Sequence, residues 1–444
     1  IRKATILLHS RFCTSKICGV LMPKNKHPWF KSRGYIHFDS PVGFKTAQKL
    51  VTSPFRVSRH AFYPLINYEI ASLKVFANEE GELEKKYKNR EIKYAAHLDS
   101  HIYSYYAWQL SILYEKEIEK RGLDKNVLAF RALRKSNIEF ANEAFEEINI
   151  RGRCSVIGLD VKGFFDNLNH AVLKNSWMKL IEKNNLPDDH FNVFRSLTKY
   201  TDVERNRLFH KLGISKKNPK HGRYRLCGPK EFRDLVRANG LLNKNDNEIG
   251  IPQGTPISAL LSNIYMLEFD TKAKEVLEEL GGSYYRYCDD MLFITKREFK
   301  DDIEKFACDE IKKLKLTINT NKTERRRFWR YGGVQKCDKP LQYLGFTFDG
   351  QRKLIRSAAL ARFSGRMKTG VKLAKQTVDR INSELILKGE PLESLRKKKL
   401  YERYSHLGRR NFLTYGYRAA RIMKSKAIKK QLKPYWKRLQ EEME

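Results

Sequence analysis

Between Asp99 and Lys120 the apolar positions Ile102, Tyr105, Tyr106, Trp108, Leu110 and Leu113 recur at helical spacing, which predicts a helix with one buried face. A second helix is expected over residues 137–148. Residues 155–161, small and β-branched, read as a buried strand, and 168–182 as the helix that returns over it. Upstream, 34–38 reads as a short β-rich piece and 62–76 as helical. Residues 211–247 are polar and rich in Lys and Asn, the pattern of an insertion crossing the surface. From residue 351 onward the periodicity is helical, with only two prolines, and no internal repeat occurs anywhere.

Charge changes this picture. The 444 residues carry 88 Lys and Arg against 51 Asp and Glu, a formal charge of +37, which repels itself unless an anionic partner shares the surface. Half of that excess lies in residues 351–444, where 26 basic side chains face 8 acidic ones. Phe363, Tyr401, Tyr404, Phe412, Tyr415, Tyr417 and Trp436 are interleaved with them, the composition of a surface that tracks nucleic acid. A membrane is excluded as a solvent for the chain, since no run of about 18 apolar residues occurs. The seven cysteines are scattered without a CxxC pair, which fits a reducing cytosol, and Cys13 and Cys18 lack downstream partners at zinc spacing. Residues 1–30 show no signal-peptide pattern, and an initiator or short leader is expected before Ile1.

In so basic a chain the carboxylates at the ends of apolar strands are informative. Residues 154–160 deliver Asp160 at the end of one strand; residues 283–294 place Asp289 and Asp290 between an aromatic strand and an apolar one, as in a hairpin turn. A lone Asp-Asp pair is at home in a solvated turn. Three carboxylates meeting at one sheet edge repel one another unless a cation sits among them. Oxygen-only ligands select hard cations, Mg²⁺ or Mn²⁺, and two such ions about 3.5–4 Å apart suit in-line phosphoryl displacement. The pattern points to nucleotidyl transfer on a polymer.

These strings resemble the reverse transcriptases. Tyr287-Cys-Asp-Asp290 is similar to their YxDD signature, and Leu159-Asp-Val-Lys-Gly-Phe-Phe-Asp-Asn-Leu-Asn-His170 to their first catalytic motif. Gly250-Ile-Pro-Gln-Gly254 resembles the PQG motif that opens a helix, with Thr255 expected to cap it and Pro256 at its first position. Leu316–Thr323, bearing Lys322, resembles the lysine-bearing palm motif, and Leu341–Phe348 the LGF primer grip. Lys88-x-Arg90-x-Ile92 is similar to the fingers KxR strand, with Glu91 where Pro is usual.

The resemblance implies an α+β right-hand polymerase: a 1–85 extension, fingers over 86–150, a palm with antiparallel sheet over 151–350 (insertion at about 200–247), and a basic helical thumb and C-terminal part over 351–444. It implies Asp160, Asp289 and Asp290 as catalytic residues and Asp160, Val161, Asp289 and Asp290 as ligands of two Mg²⁺ ions, with Mn²⁺ as a substitute. Lys88, Arg90, Phe165, Gln253, Gly254 and Lys322 would meet the nucleotide, Phe165 closing the space of a ribose 2′-hydroxyl. Asp166 is expected to cap the next helix, and His97 and His101 to serve packing and hydrogen bonding. No Cys-pair endonuclease domain follows the thumb region, and the retron NAxxH and VTG motifs are not evident. Residues 95–106, 126–131 and 135–141 are similar to the bacterial defence-associated "unknown group". That branch implies a cytoplasmic enzyme making cDNA from dNTPs on an RNA template, a companion structured noncoding RNA, in resistance to phage. A template-independent polymerase of abortive-infection type and a silent RNA-binding scaffold are the alternatives.

Overall fold

The computed structural model describes residues 27–77 and 83–444. Cys13 and Cys18 lie outside the described residues. In chain order the strands are β1 (Leu65–Ala77), β2 (Leu83–Tyr94), β3 (Cys154–Asp160), β4 (Thr201–Glu204), β5 (Leu242–Lys244), β6 (Ser283–Tyr287), β7 (Asp290–Thr295), β8 (Glu324–Tyr331), β9 (Val334–Cys337), β10 (Leu341–Tyr343), β11 (Phe346–Phe348) and β12 (Lys353–Ile355). They form an open antiparallel sheet in the order β6-β7-β3-β8-β9, a four-stranded sheet β2-β1-β4-β5, and a small sheet β10-β11-β12.

The centre of the sheet is covered on both faces, which explains why β3 and β7 read as almost unbroken apolar runs. Ile157, Leu159, Met291 and Phe293 face one core with the helices His97–Lys120 and Ser258–Glu279. Cys154, Val156, Leu292 and Ile294 face a second core, closed by the helix Asn137–Arg151, the small sheet and the C-terminal helices. The helix Ser357–Lys388 contributes Phe363, Met367 and Val371 to that second core. Ser136 and Glu139 cap Asn137–Arg151 reciprocally, and Arg418 from the C-terminal helices donates to Glu139 Oε1 at 2.6 Å. No helix among the described residues is long and apolar enough to cross a membrane.

Several local readings differ from the structure. Residues 62–76 are not helical: most of them form β1, which pairs antiparallel with β2 from Ile66↔Tyr94 to Ala77↔Leu83. Apolar spacing in this stretch suits either period, and the pairing partner decides. Residues 34–38 form no strand and bend at Tyr35 and Phe38; Leu226 N donates to His37 O at 2.8 Å. Residues 211–247 are more than a surface insertion, because Ile214, Leu226, Cys227 and Val236 build a third core with Ile36, Phe38, Ile66 and Val203, while β5 pairs with β4 and β4 with β1. The helix after the PQG string starts at Ser258, so neither Thr255 nor Pro256 holds the expected place; Thr255 Oγ1 instead meets Ser258 Oγ at 2.6 Å, and Ser258 Oγ donates to Pro252 O. Asp166 caps nothing. It lies within the short helix Phe164–Asn167, and Asn169 caps His170–Leu180 by accepting from Val172 N.

Candidate active site

Antiparallel register places Asp160 directly opposite Asp290 across β3 and β7. Both follow the alternation of Val156 and Leu292, so the two carboxylates leave the sheet on the face of the second core, where the β10–β11 hairpin and C-terminal helices lie. Tyr287 pairs with Asp290, leaving Cys288 and Asp289 as a two-residue turn. Cys288 takes φ 62°, a left-handed conformation that costs an ordinary side chain about 1–2 kcal/mol. What holds it is Arg286, fully buried, whose Nη1 donates to Cys288 O at 3.0 Å while its Nε and Nη2 grip Asp270. Burial, with the adjacent Asp289 carboxylate, pushes the Cys288 thiol up to about 12, so it remains neutral.

Lys322 comes to the same place. Its ammonium donates to Asp160 Oδ2, and Asn319 N donates to Asp160 O at 2.7 Å. Among the described residues no three His, Cys, Asp or Glu side chains converge as a ready metal group. The donor set nevertheless fits a hard cation: two acidic residues face each other across neighbouring strands, a third is in the adjoining turn, and a protein ammonium already neutralises one of them. Val161 is buried and bridges Ile318 just beyond β3. Burial pushes the Tyr343 hydroxyl well above its usual range, as does the Asp290 charge beside it.

A second group of residues joins β2 to this strand end. Lys93 N donates to Gln253 O at 2.8 Å, and Ile251 N to Phe165 O at 2.9 Å. Gly254 takes φ +122°, and a Cβ there would meet Lys93 O at 2.7 Å, so only glycine permits this approach. Phe164 is buried, whereas the neighbouring Phe165 is half-buried at the edge of the first core. Lys88 and Arg90 sit further up β2, opposite Ser72 and Ile70, and Arg90 is exposed. At about 3.3 Å per residue Arg90 stands roughly 10 Å from Lys93 along the strand. His97 and His101 pack as expected, stacked on Tyr35 and Phe30, but His97 Nε2 and His101 Nδ1 are buried without the hydrogen-bond partners expected of them among the described residues.

The family model for reverse transcriptase (RNA-dependent DNA polymerase) matches residues 113–348, more than half of the chain. The chain belongs to the reverse transcriptase family. Its mixed α/β architecture with an open central sheet is the right-hand polymerase fold of that family. Among solved structures, apo telomerase from Candida tropicalis truncated from its C-terminal domain is similar at 13% identity and a TM-score of 0.38, over 65% of this chain and 57% of that one. Telomerase from Candida albicans with a TWJ fragment of telomeric RNA is similar at 13% identity and a TM-score of 0.38, over 85% and 61%. This chain thus spans less than two thirds of either telomerase. No curated protein matches it.

Two features of this reverse transcriptase escaped sequence reasoning. One is Lys93, almost fully buried 3.4 Å from Asp202 and in contact with Glu91. The other is the Arg286–Asp270–Asn263 network beneath the turn. A signal existed for the second: Asn263 and Asp270 stand seven apart on an otherwise apolar helix face, opposite a lone Arg among tyrosines.

Proposed function

We propose that this protein is an RNA-directed DNA polymerase that extends a 3′-hydroxyl with deoxynucleotides, copying a companion structured noncoding RNA into cDNA in the cytoplasm during antiphage defence. The observation that supports this most is the placement of Asp160 opposite Asp290, with Asp289 in the adjoining turn, inside a reverse transcriptase domain. Asp160, Asp289 and Asp290, with the Val161 carbonyl, would hold two Mg²⁺ ions, for which Mn²⁺ can substitute. Bound there, the ions supply charge to the attacking and leaving oxygens of the phosphoryl transfer.

The chain's own groups do the rest. Lys322, whose ammonium donates to Asp160 Oδ2, would present that charge to the incoming triphosphate. Phe165 fills the space beside the sugar, and the Gln253–Gly254 loop, pinned to β2 through Lys93, supports the nascent base pair. Lys88 and Arg90 reach the triphosphate when β1 and β2 bend toward the site. In this reading 86–150 act as fingers, 151–350 as palm and 351–444 as thumb. The basic C-terminal helices, with Lys397, Lys398 and Lys399 exposed, would follow the template's phosphates.

Replacing Asp289 and Asp290 together by Ala tests the reading on an RNA template with an annealed DNA primer. Incorporation should vanish while the melting temperature stays equal or rises, because two repelling acids leave a hairpin tip. Activity within tenfold of the parent would overturn it.

A further inference from the structure

At the opposite end of β3 from Asp160, about 20 Å away at strand rise, the sheet opens into a cleft of about 650 Å³. Its walls are Arg151, Arg153, Arg297, Arg327, Arg330 and Trp329, with Gly152 at the base. Among the described residues no carboxylate lines it. Arg151 pairs with Glu147 at 2.7 Å and Arg327 reaches Asp338 at 3.5 Å. Arg153, Arg297 and Arg330 have no acidic partner among the described residues; Arg330 donates only to Asn149 O and Arg297 to Phe328 O. Arg297 Nε is buried with no hydrogen-bond partner among the described residues.

The cleft is built by elements that must coincide. Gly152 ends the helix Asn137–Arg151 at φ +67°, and a Cβ there would lie 3.2 Å from Arg330 Nε, so the glycine makes room for that guanidinium. Gln335 from the edge strand β9 donates to Gly152 O at 2.6 Å and fixes the turn against the β8–β9 hairpin. The Arg297 guanidinium carbon stands 5.7 Å from the Trp329 ring centroid, and the indole is half-buried.

We propose that this cleft is a second RNA-binding site, which takes the phosphate backbone of a single-stranded segment on Arg153, Arg297 and Arg330 and stacks one base on Trp329. Guanidinium groups without carboxylate partners match phosphate oxygens in bidentate geometry. A base has a π-face for the indole whatever its identity, so the site tolerates sequence. Standing one strand length from the carboxylates, it grips RNA outside the stretch being copied, and its binding does not depend on nucleotide transfer.

The test uses the full chain and a fluorescein-labelled 20-nucleotide oligo(U) in magnesium-free buffer. Arg153→Gln combined with Arg330→Gln should weaken binding about three- to tenfold and flatten the log–log salt dependence by about 1.4, two single-strand contacts at roughly 0.7 each. Oligo(U) carrying 4-thiouridine should crosslink to the tryptic segment that contains Trp329. If the double variant also melts earlier, Arg153→Gln alone decides, since that exposed side chain makes no described hydrogen bond, and it should flatten the slope by about 0.7. Parental affinity and slope, or a crosslink elsewhere only, would overturn the site. Complete displacement by millimolar ATP would make it a mononucleotide site and would equally overturn the proposal.

Discussion

Arg286 holds both carboxylate oxygens of Asp270, Nε to Oδ1 at 2.7 Å and Nη2 to Oδ2 at 2.5 Å, and both side chains are fully buried. Burial works against the guanidinium charge, and the Asp270 carboxylate more than offsets it, holding Arg286 above even its usual range. Tyr284 Oη donates to the same Asp270, and Asn263 Oδ1 accepts from Arg286 at 3.1 Å. The remaining reach of Arg286 goes to Cys288 O, so a buried ion pair sets the turn that presents Asp289.

Removing one member should therefore cost more than removing both. Arg286→Met leaves Asp270 buried and unpaired and should lose about 3–5 kcal/mol in urea unfolding. Arg286→Met with Asp270→Leu should recover most of that stability. It should not recover nucleotide incorporation, because Cys288 O still lacks its donor. A double variant with parental activity would show that the turn holds its shape without Arg286.

Phe165 should decide between sugars. Phe165→Ala opens the space beside the half-buried ring, so the ratio of deoxynucleotide to ribonucleotide efficiency should fall ten- to a hundredfold, about 1.4–2.7 kcal/mol in the transition state. Single-nucleotide kcat/KM values measure it. An unchanged ratio would assign Phe165 to the core it already touches.

Acid should loosen the sheet of β1 and β2 through His37. Burial lowers this imidazole to about 3, with His97 adding to the effect. Its Nδ1 accepts from Phe38 N at 2.9 Å and its Nε2 donates to Tyr94 O at 3.3 Å, an arrangement only the neutral ring satisfies. The folded value lies below the unfolded value of about 6.5, so the contribution is fully present above that pH. It is lost as pH falls from 6.5 toward 3, by up to about 1.4 kcal/mol per pH unit. His37→Gln should flatten the fall of the melting temperature over that window. Parallel curves for the two proteins would exclude the mechanism.

How much was legible depended on the range of the interaction. Asp160, Asp289 and Asp290 could be read because strand composition places each acid locally, and the helices at 99–120 and 137–148 because a face repeats within a few turns. β1 could not, since its residues fit two periods and its state follows from twelve pairings with β2. The role of Asn169 rather than Asp166 as a cap turned on which residue stands just before a helix, a matter of one turn of chain.

The sequence by itself determined that a basic chain would bring acids to strand ends, and it named the residues able to do so, because strand alternation and charge are local properties. Only the tertiary structure decided that Asp160 faces Asp290, that Arg286 reaches Asp270 sixteen residues away, and that Arg153, Arg297 and Arg330 line one cleft. Register and helix packing are cooperative outcomes of burying two faces of one sheet, and a one-residue slip between β3 and β7 would carry Asp160 or Asp290 to the other face.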